Sequence, residues 1–582
     1  MVIRQKRERS EKSFEKRLFC TRMAFISLFF IVFSFLLKVQ VFNPPSGVSG
    51  RYAKIEIPVP RGTIYDRNGK VLAMSLPYYS LYIDSWAVRH AEKKEPSYTE
   101  RLKKELTSIL DMKPAEIESK MEQKYPLIKR ELSVEEYTAL ASASLPGTVF
   151  LPGYRRIYPN DTLACHIIGF AGTDGYGLEG VELYYNGLLE GERGVSLILK
   201  DGSGELIGSV EKKVSLPEQG KDLYLTIDSG LQFIVEEEIE NVYRKYNAAS
   251  VSAIVIDYET GEILAMANMP NYNPNSPDRF SISDKRNRAV TDLFEPGSTF
   301  KIVTAAAAIE ERVFSPDDII DCENGKWFVR NHYLHDVHEY GRLKMREVIE
   351  KSSNIGTVKI AMGLGERKLY EYCSRFGFGM TTGLDLPGEI RGIFRPLNKW
   401  SGYSITAIPI GQEVGINALQ GIRAMAAIAN GGYLVNPHIL KSVCGDSQEV
   451  LTHRGKEKRR ILSENTCNVL RDILEDATAP SGTAPLASIP GYSISGKTGT
   501  AQKTINGRYA IGRYVASFVG FLNSPDAKTL ILVKVDEPRP IYYGGTVAAP
   551  AFRNIMWRTL QQNNVPPSGP QEDHRLAMKT RQ

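Results

Sequence analysis

Ser298-Thr299-Phe300-Lys301, Ser352-Ser353-Asn354 and Lys497-Thr498-Gly499 stand in this order along the chain, and together they hold the groups that a serine acyl-transfer centre requires. A hydroxyl three residues before a lysine pairs a nucleophile with a base, because positions i and i+3 of a helix share a face one turn apart. Ser352 suits the relay of a proton to a leaving amine, and the Asn354 amide suits a substrate peptide bond. Lys497 and Thr498 suit a terminal carboxylate; the backbone N–H groups of Ser298 and Thr500 suit a developing oxyanion. Any one of these triplets recurs by chance, as a helix cap or a glycine-bearing edge strand. The ordered set of three is a specific signal.

The surrounding elements fit that chemistry. The stretch from Phe294 to Ile309 reads as a helix opened by Pro296-Gly297, with good helix formers and no breaker after Ser298. It is apolar nearly all round, so it belongs inside a domain. Burial there disfavours the Lys301 ammonium and readies the amine to take the serine proton, while the helix N-terminus favours negative charge near Ser298. The second motif falls between two helical stretches, Met345 to Lys351 and Ile355 to Met362. The third lies on an alternating strand from Tyr492 to Ala501, in which Gly496 and Gly499 permit close backbone approach by a ligand. Five strands are expected in this half of the chain: Val251 to Tyr258, Glu262 to Asn268, Ile494 to Ala501, Val515 to Leu522 and Thr529 to Glu537. Two are early and three late, with a helical block between.

The motifs resemble those of the penicillin-binding protein and serine beta-lactamase superfamily. The resemblance implies catalytic roles for Ser298, Lys301, Ser352 and Lys497 and substrate-binding roles for Asn354, Thr498, Gly499 and Thr500. It also implies an α+β multidomain chain with the penicillin-recognising serine transpeptidase / beta-lactamase-like fold, in which a five-stranded antiparallel sheet carries helices on both faces. No cofactor and no metal are expected.

The remainder of the chain separates members of that superfamily. Its 582 residues exceed one ordinary core. Residues 1–22 carry eight Lys or Arg against three Glu, and a nearly uncharged apolar run follows from Met23 to Phe42, long enough to cross a bilayer. This predicts a cytoplasmic basic tail (1–22), a transmembrane helix (23–42) and an exported remainder; a signal peptide cleaved near Ser46 to Gly50 is the competing reading. Without the tail's net +5 the chain's total of +6 falls to about +1, which excludes a charge-driven nucleic-acid binder. Six widely spaced cysteines allow one disulfide and imply no disulfide framework.

The segment Val59 to Lys70 reads as a strand with a turn at Asn68-Gly69, and it resembles the Arg-Gly-x-Ile-x-Asp-Arg-x-Gly signature that opens the pedestal of class B penicillin-binding proteins. Gly177 to Gly191, with Arg155-Arg156 upstream, is similar to a second pedestal motif. Between them, Glu100 to Lys129 looks helical and charged. These resemblances imply an elongated α+β pedestal of dimerisation type (43–216), a transpeptidase domain (217–562) and a disordered tail (563–582). Tyr542-Tyr543-Gly544-Gly545 resembles the division-specific type, penicillin-binding protein 3 of rod-shaped bacteria.

The activity so implied is peptidoglycan D,D-transpeptidation of stem peptides ending in D-Ala-D-Ala during septal wall synthesis, with covalent binding of beta-lactams. The chain would be single-pass in the inner membrane with its catalytic domain periplasmic, and would pair with a SEDS-family glycosyltransferase and other division proteins. An elongation-type transpeptidase, a D,D-carboxypeptidase, a beta-lactamase and a catalytically weak penicillin-binding scaffold or sensor are the alternatives. Two stretches mimic other chemistry. His332, His335 and His338 recur every three residues, a period that suits neither one strand face nor an i, i+4 metal pair. Glu413 and Asn417 mimic the Glu-x-x-x-Asn of class A beta-lactamases.

Overall fold

The computed structural model describes residues 2–38, 52–123, 126–199, 212–445, 448–452, 458–505 and 507–567. The last residues of the expected membrane span (39–42), the Ser46 to Gly50 processing candidate and the tail beyond 567 lie outside these. A single helix runs over Val2–Leu37. Its segment Arg17–Leu37, 21 residues of mean hydropathy 2.1, is long and apolar enough to cross a membrane.

The chain divides into two compact units, one of Met1–Val59, Tyr78–Gly153 and Glu192–Glu218, the other of Pro60–Pro77, Tyr154–Gly191 and Gln219–Gln582. In the first, Leu81, Tyr98, Leu102, Leu106, Ile117, Ile128 and Leu140 form a small core. The helical expectation for Glu100 to Lys129 needs correction. Asp111 takes a left-handed conformation that ends one helix at Leu110, Pro114 opens a second that stops at Met121, and Leu127–Lys129 is a strand.

In the second unit all five expected strands form one antiparallel sheet. They are β1 (Ser250–Asp257), β2 (Ile263–Met269), β3 (Ile494–Ile505), β4 (Arg508–Leu522) and β5 (Thr529–Asp536), in the spatial order β2-β1-β5-β4-β3. Helices cover both faces, which is why β1 and β5 are buried almost end to end and do not alternate, although Ser252 and Lys534 interrupt their apolar runs. Ile254, Ile256, Leu530 and Leu532 point into one core with the helix Lys301–Glu310 (α1); Val251, Ala253, Val255, Ile531 and Val533 point into the other with Val547 to Leu560. β3 is an edge strand, so half of its backbone groups have no partner in the sheet.

The two stretches read as pedestal signatures meet in this same unit around one buried carboxylate. Glu182 is fully buried; its Oε2 accepts from Arg61 Nε at 2.5 Å and its Oε1 from Arg156 Nε at 2.6 Å. Arg61 also donates to Asn186 Oδ1 at 2.8 Å and to the Glu182 carbonyl at 2.7 Å. Desolvation by burial opposes ionisation of Glu182, but the two guanidiniums hold its carboxyl below the usual range. The expected turn at Asn68-Gly69 is present, organised by Asp66, whose Oδ1 accepts from the N–H groups of Asn68 and Lys70.

Candidate active site

The chain enters α1 through one 3₁₀ turn, Gly297–Phe300, and Lys301 is the first α-helical residue. In a 3₁₀ turn the i and i+3 side chains eclipse, so Ser298 stands over Lys301 more directly than an α-helical start would place it. Gly297 has φ +53°, and the missing side chain at Gly411 (φ +76°) is required because a Cβ there would lie 2.2 Å from the Gly297 carbonyl. The Gly411-Gln412 segment thereby fixes the turn that presents Ser298.

Lys301 is fully buried, and its Nζ donates to the Ser352 carbonyl at 2.6 Å, to Ser352 Oγ at 3.2 Å and to Asn354 Oδ1 at 2.8 Å. One amino group thus gathers the second motif around the first. Ser352 follows the helix Met345–Glu350 (α2) and adopts φ +61°, a left-handed conformation that costs a non-glycine residue about 1 kcal/mol or more. Ser353 caps the next helix, Asn354–Leu364 (α3), accepting from the Gly356 N–H at 2.9 Å. The Asn354 amide faces Lys301 with its oxygen and donates from Nδ2 to the His335 carbonyl at 2.9 Å, which leaves one N–H for a ligand.

Asp336 holds this arrangement and carries no motif of its own. Its carboxylate accepts from Ser353 Oγ at 2.6 Å and from the N–H groups of Asn354 and Ile355 at the N-terminus of α3. It follows the strand His332–His335, so the histidine-rich stretch contributes this carboxylate and the His335 carbonyl. The His332 ring packs beside Tyr403 and the His338 ring against Tyr340. Among the described residues no group of three His, Cys, Asp or Glu side chains converges as metal ligands would.

Lys497, fully buried on β3, has no hydrogen-bond partner for its Nζ among the described residues. Burial brings its pKa down to about 7. Burial also holds Lys301 well below the usual lysine range; the neighbouring Lys497 charge pushes in the same direction, and Asp336 opposes it. Two ammonium groups so placed favour one neutral amine beside one cation, which is what a base next to an anion-binding group needs.

Gly496 and Gly499 are required by packing within the protein as well. A Cβ on Gly499 would meet Ser517 Oγ at 2.4 Å and the Pro296 carbonyl at 2.9 Å; one on Gly496 would meet the Phe518 ring at 2.4 Å. Both let β3 pack tightly on the protein side and against the turn bearing Ser298, so they set the strand's distance from the nucleophile. Thr498, Thr500, Ser298, Ser352 and Asn354 line one cleft of about 840 Å³. Its far wall is aromatic: Tyr514 on β4 stacks on Tyr542 at 4.0 Å, and Tyr542 contacts Tyr543 at 4.6 Å. Gly544 makes that wall possible, since a Cβ would lie 2.4 Å from the carbonyls of Gly499 and Ser517. Its N–H donates to Thr500 Oγ1 at 3.1 Å. Tyr514 was not legible as a site residue, because it stands where the exposed outer half of β4 meets the buried half and no local pattern marks a cleft there.

The Glu413/Asn417 mimic is structural. Glu413 pairs with Arg395 at 2.5 Å and accepts from Ser404 Oγ at 2.8 Å, and Asn417 caps the helix Ala418–Ala429 in a capping box with Gln420. Cys165, Cys322, Cys373 and Cys467 are buried as unpaired thiols.

Comparison with known proteins gives concordant matches. Residues 251–557 match the family model described as the penicillin binding protein transpeptidase domain, and residues 56–225 match the penicillin-binding protein dimerisation domain. The chain is 33% identical over 519 residues to the "Probable peptidoglycan D,D-transpeptidase PenA" of Neisseria meningitidis, covering 88% of this chain and 86% of the relative. It is 31% identical over 518 residues to the "Peptidoglycan D,D-transpeptidase FtsI" of Escherichia coli K12, covering 88% and 85%. The crystal structure of penicillin binding protein 3 from Mycobacterium tuberculosis superposes with a TM-score of 0.68 at 28% identity, covering 89% of this chain and 99% of that one.

Proposed function

The chain belongs to the class B penicillin-binding proteins, FtsI-like in type, and from that premise we propose that it cross-links peptidoglycan stem peptides as a serine D,D-transpeptidase during septal wall synthesis. The observation that carries the reading is the shared amino group: Lys301 Nζ lies within 3.2 Å of Ser352 and Asn354 atoms, one 3₁₀ turn from Ser298.

In the proposed reaction Lys301, kept neutral by burial, takes the proton of Ser298 Oγ. The alkoxide attacks the carbonyl of the penultimate D-Ala, and the Ser298 and Thr500 N–H groups stabilise the oxyanion. Ser352 Oγ, 3.2 Å from Lys301 Nζ, passes the proton to the leaving D-Ala. Lys497 and Thr498 hold the terminal carboxylate, which supplies the partner that the buried Lys497 ammonium needs. Gly499 keeps that strand close to the turn, and the free N–H of Asn354 takes a donor carbonyl. An amine from a neighbouring strand then attacks the ester, forms the amide bond and returns a proton to Ser298 Oγ.

The test is the lifetime of the adduct with a fluorescent penicillin, with Ser298→Ala alongside. A long-lived adduct lost in the variant supports the reading; rapid release points to a beta-lactamase, and an adduct that persists in Ser298→Ala removes the assignment of the nucleophile. The engagement of Glu413 by Arg395 and Ser404 argues for slow release, because that carboxylate is not available to activate a water.

The division of labour along the chain is proposed as cytoplasmic tail, membrane helix, pedestal and transpeptidase domain, with the catalytic part on the periplasmic face of the inner membrane. The basic residues ahead of the apolar helix support that orientation. Pairing with a SEDS-family glycosyltransferase and with other division proteins through the helix and pedestal is part of the same proposal. Depletion should give filaments if the role is septal and round cells if it is elongation.

A further inference from the structure

The strands Lys326–Val329 and His332–His335 form a two-stranded hairpin whose faces differ in what they meet. On one face Trp327, Val329 and Leu334 pack on Ile355 and Val358 of α3 and on Ile410, which fixes the hairpin to the helix that begins with Asn354. By the strand period of two, the opposite face carries Lys326, Phe328, Tyr333 and His335. Phe328 stands directly across from Tyr333 with ring centroids 5.0 Å apart, and the two residues are 59% and 57% exposed. We propose that this face is a saccharide subsite, on which the N-acetylated amino sugar bearing the donor stem rests while its stem reacts at Ser298; the proposal rests on the transpeptidase reading above.

The direction of the bound chain carries the inference. In that reading the stem's carboxylate is at Lys497, the reacting carbonyl at Ser298 and a further donor carbonyl at the free Asn354 N–H, so the stem runs from β3 toward α3 with its amino-terminal, sugar-bearing end beyond Asn354. The Asn354 amide touches Lys301 Nζ with its oxygen and the His335 carbonyl with its nitrogen, so one side chain separates the catalytic amine from the hairpin backbone. From His335 the strand reaches Tyr333 in two residues, about 7 Å. In a five-residue stem, the four residues up to the reacting carbonyl span about 14 Å when extended. Direction and reach together bring the sugar to the hairpin. Val337 and His338, which follow the second strand, line the Ser298 cleft and carry the surface into it.

The chemistry of the face suits that occupant. An amino sugar has an apolar side of C–H groups and a rim of hydroxyl and acetamido groups. The C–H side fits the electron-rich face of an aromatic ring, and two rings at one cross-strand position offer the area of one sugar. Lys326 and His335, the next pair along the same face, are exposed N–H donors for an acetamido carbonyl. Lys326 Nζ lies 4.5 Å over the Tyr333 ring, an exposed contact weak enough for a ligand to displace. The hairpin's packing is complete on its other face, so its own stability does not account for two large rings left in water beside a cleft.

The test uses the detergent-solubilised full chain with Phe328→Ala and Tyr333→Ala as independent variants, and acylation by penicillin as the check that the cleft is intact. The acylation kcat/KM is measured for a pentapeptide stem carrying its N-acetylated disaccharide and for the same stem with an acetyl group in place of the sugar. The wild-type chain should prefer the sugar-bearing donor about tenfold, and each variant should lose about threefold or more of that preference while its rates with the acetylated stem and with penicillin stay within about twofold of wild type. A wild-type chain acylated equally well by both donors overturns the subsite, and so does a preference that is unchanged in both variants, or a fall that is the same for both donors. A wild-type chain that takes penicillin but forms no acyl-enzyme with either stem overturns the transpeptidase reading, and this subsite with it.

Discussion

Replacing Asp336 by asparagine changes one charge and almost no volume, and the structure says what should follow. The carboxylate accepts three hydrogen bonds, from Ser353 Oγ and from the first two N–H groups of α3. Asparagine keeps an oxygen for the N–H groups but presents an amide NH2, a donor, where the serine hydroxyl donates, so one charge-assisted bond is lost at about 1.5–2 kcal/mol and the interaction with the helix N-terminus at about 0.5–1 kcal/mol. The loss of about 2–3 kcal/mol falls on the residues that hold Lys301 and corresponds to an acylation rate constant lower by roughly 30- to 150-fold. A merely structural loss would stop there. Asp336 is also the one charge raising the Lys301 pKa, so its removal lets Lys301 deprotonate at lower pH. The acid limb of the pH profile of acylation should shift downward as the plateau falls, as measured by stopped-flow acylation with a chromogenic cephalosporin between pH 5 and 9. A variant that acylates within twofold of wild type, or whose acid limb shifts upward, would refute this account of the site.

Three other outcomes are expected. Lys497 in the free protein has a pKa of about 7, and carboxylate binding needs its protonated form. The acylation kcat/KM should therefore fall about tenfold per pH unit on the alkaline side, and Lys497→Arg, charged throughout, should lose that fall whatever its absolute rate; an identical alkaline limb in both proteins would contradict the assignment. Glu182→Gln leaves the guanidiniums of Arg61 and Arg156 buried against a neutral group, at about 3–5 kcal/mol, so the midpoint of thermal unfolding should drop by several degrees, and an unchanged midpoint would count against the network. Gly544→Ala forces a Cβ to within 2.4 Å of two carbonyl oxygens and should slow acylation about tenfold by displacing the tyrosine wall, whereas Gly402→Ala, with open space around it, should leave the rate unchanged.

β1 and β5 were legible because burial on both faces writes largely apolar runs, β3 because it alternates, and Ser298 with Lys301 because helix geometry alone couples residues three apart. Lys497 was legible through the Lys-Thr-Gly motif and its order after the other two, whereas its burial was not, since its strand reads as alternating. Asp336 was not, since its importance comes from a turn that folds residue 336 against residues 353–355, and no local pattern records that contact. The glycines of β3 were noticed for ligand approach, and their packing against Ser517, the Pro296 carbonyl and Phe518 was not legible, because a missing side chain marks close approach but not from which side. The charged stretch after Glu100 has helix-forming composition throughout, and only Asp111 and Pro114 reveal the break.

The open edge of β3 has a bearing on fidelity. An extended peptide laid along a bare strand edge finds equivalent backbone partners every second residue, so hydrogen bonding to the strand alone does not tell one repeat from the next. The strand is a ruler without a zero mark. In the proposed reaction the buried ammonium of Lys497 supplies that mark, because a chain end with its carboxylate is the one feature of a peptide that does not repeat. Selection of the terminal bond is then a matter of frame, set at one atom, and the edge is left indifferent to the rest of the sequence it carries.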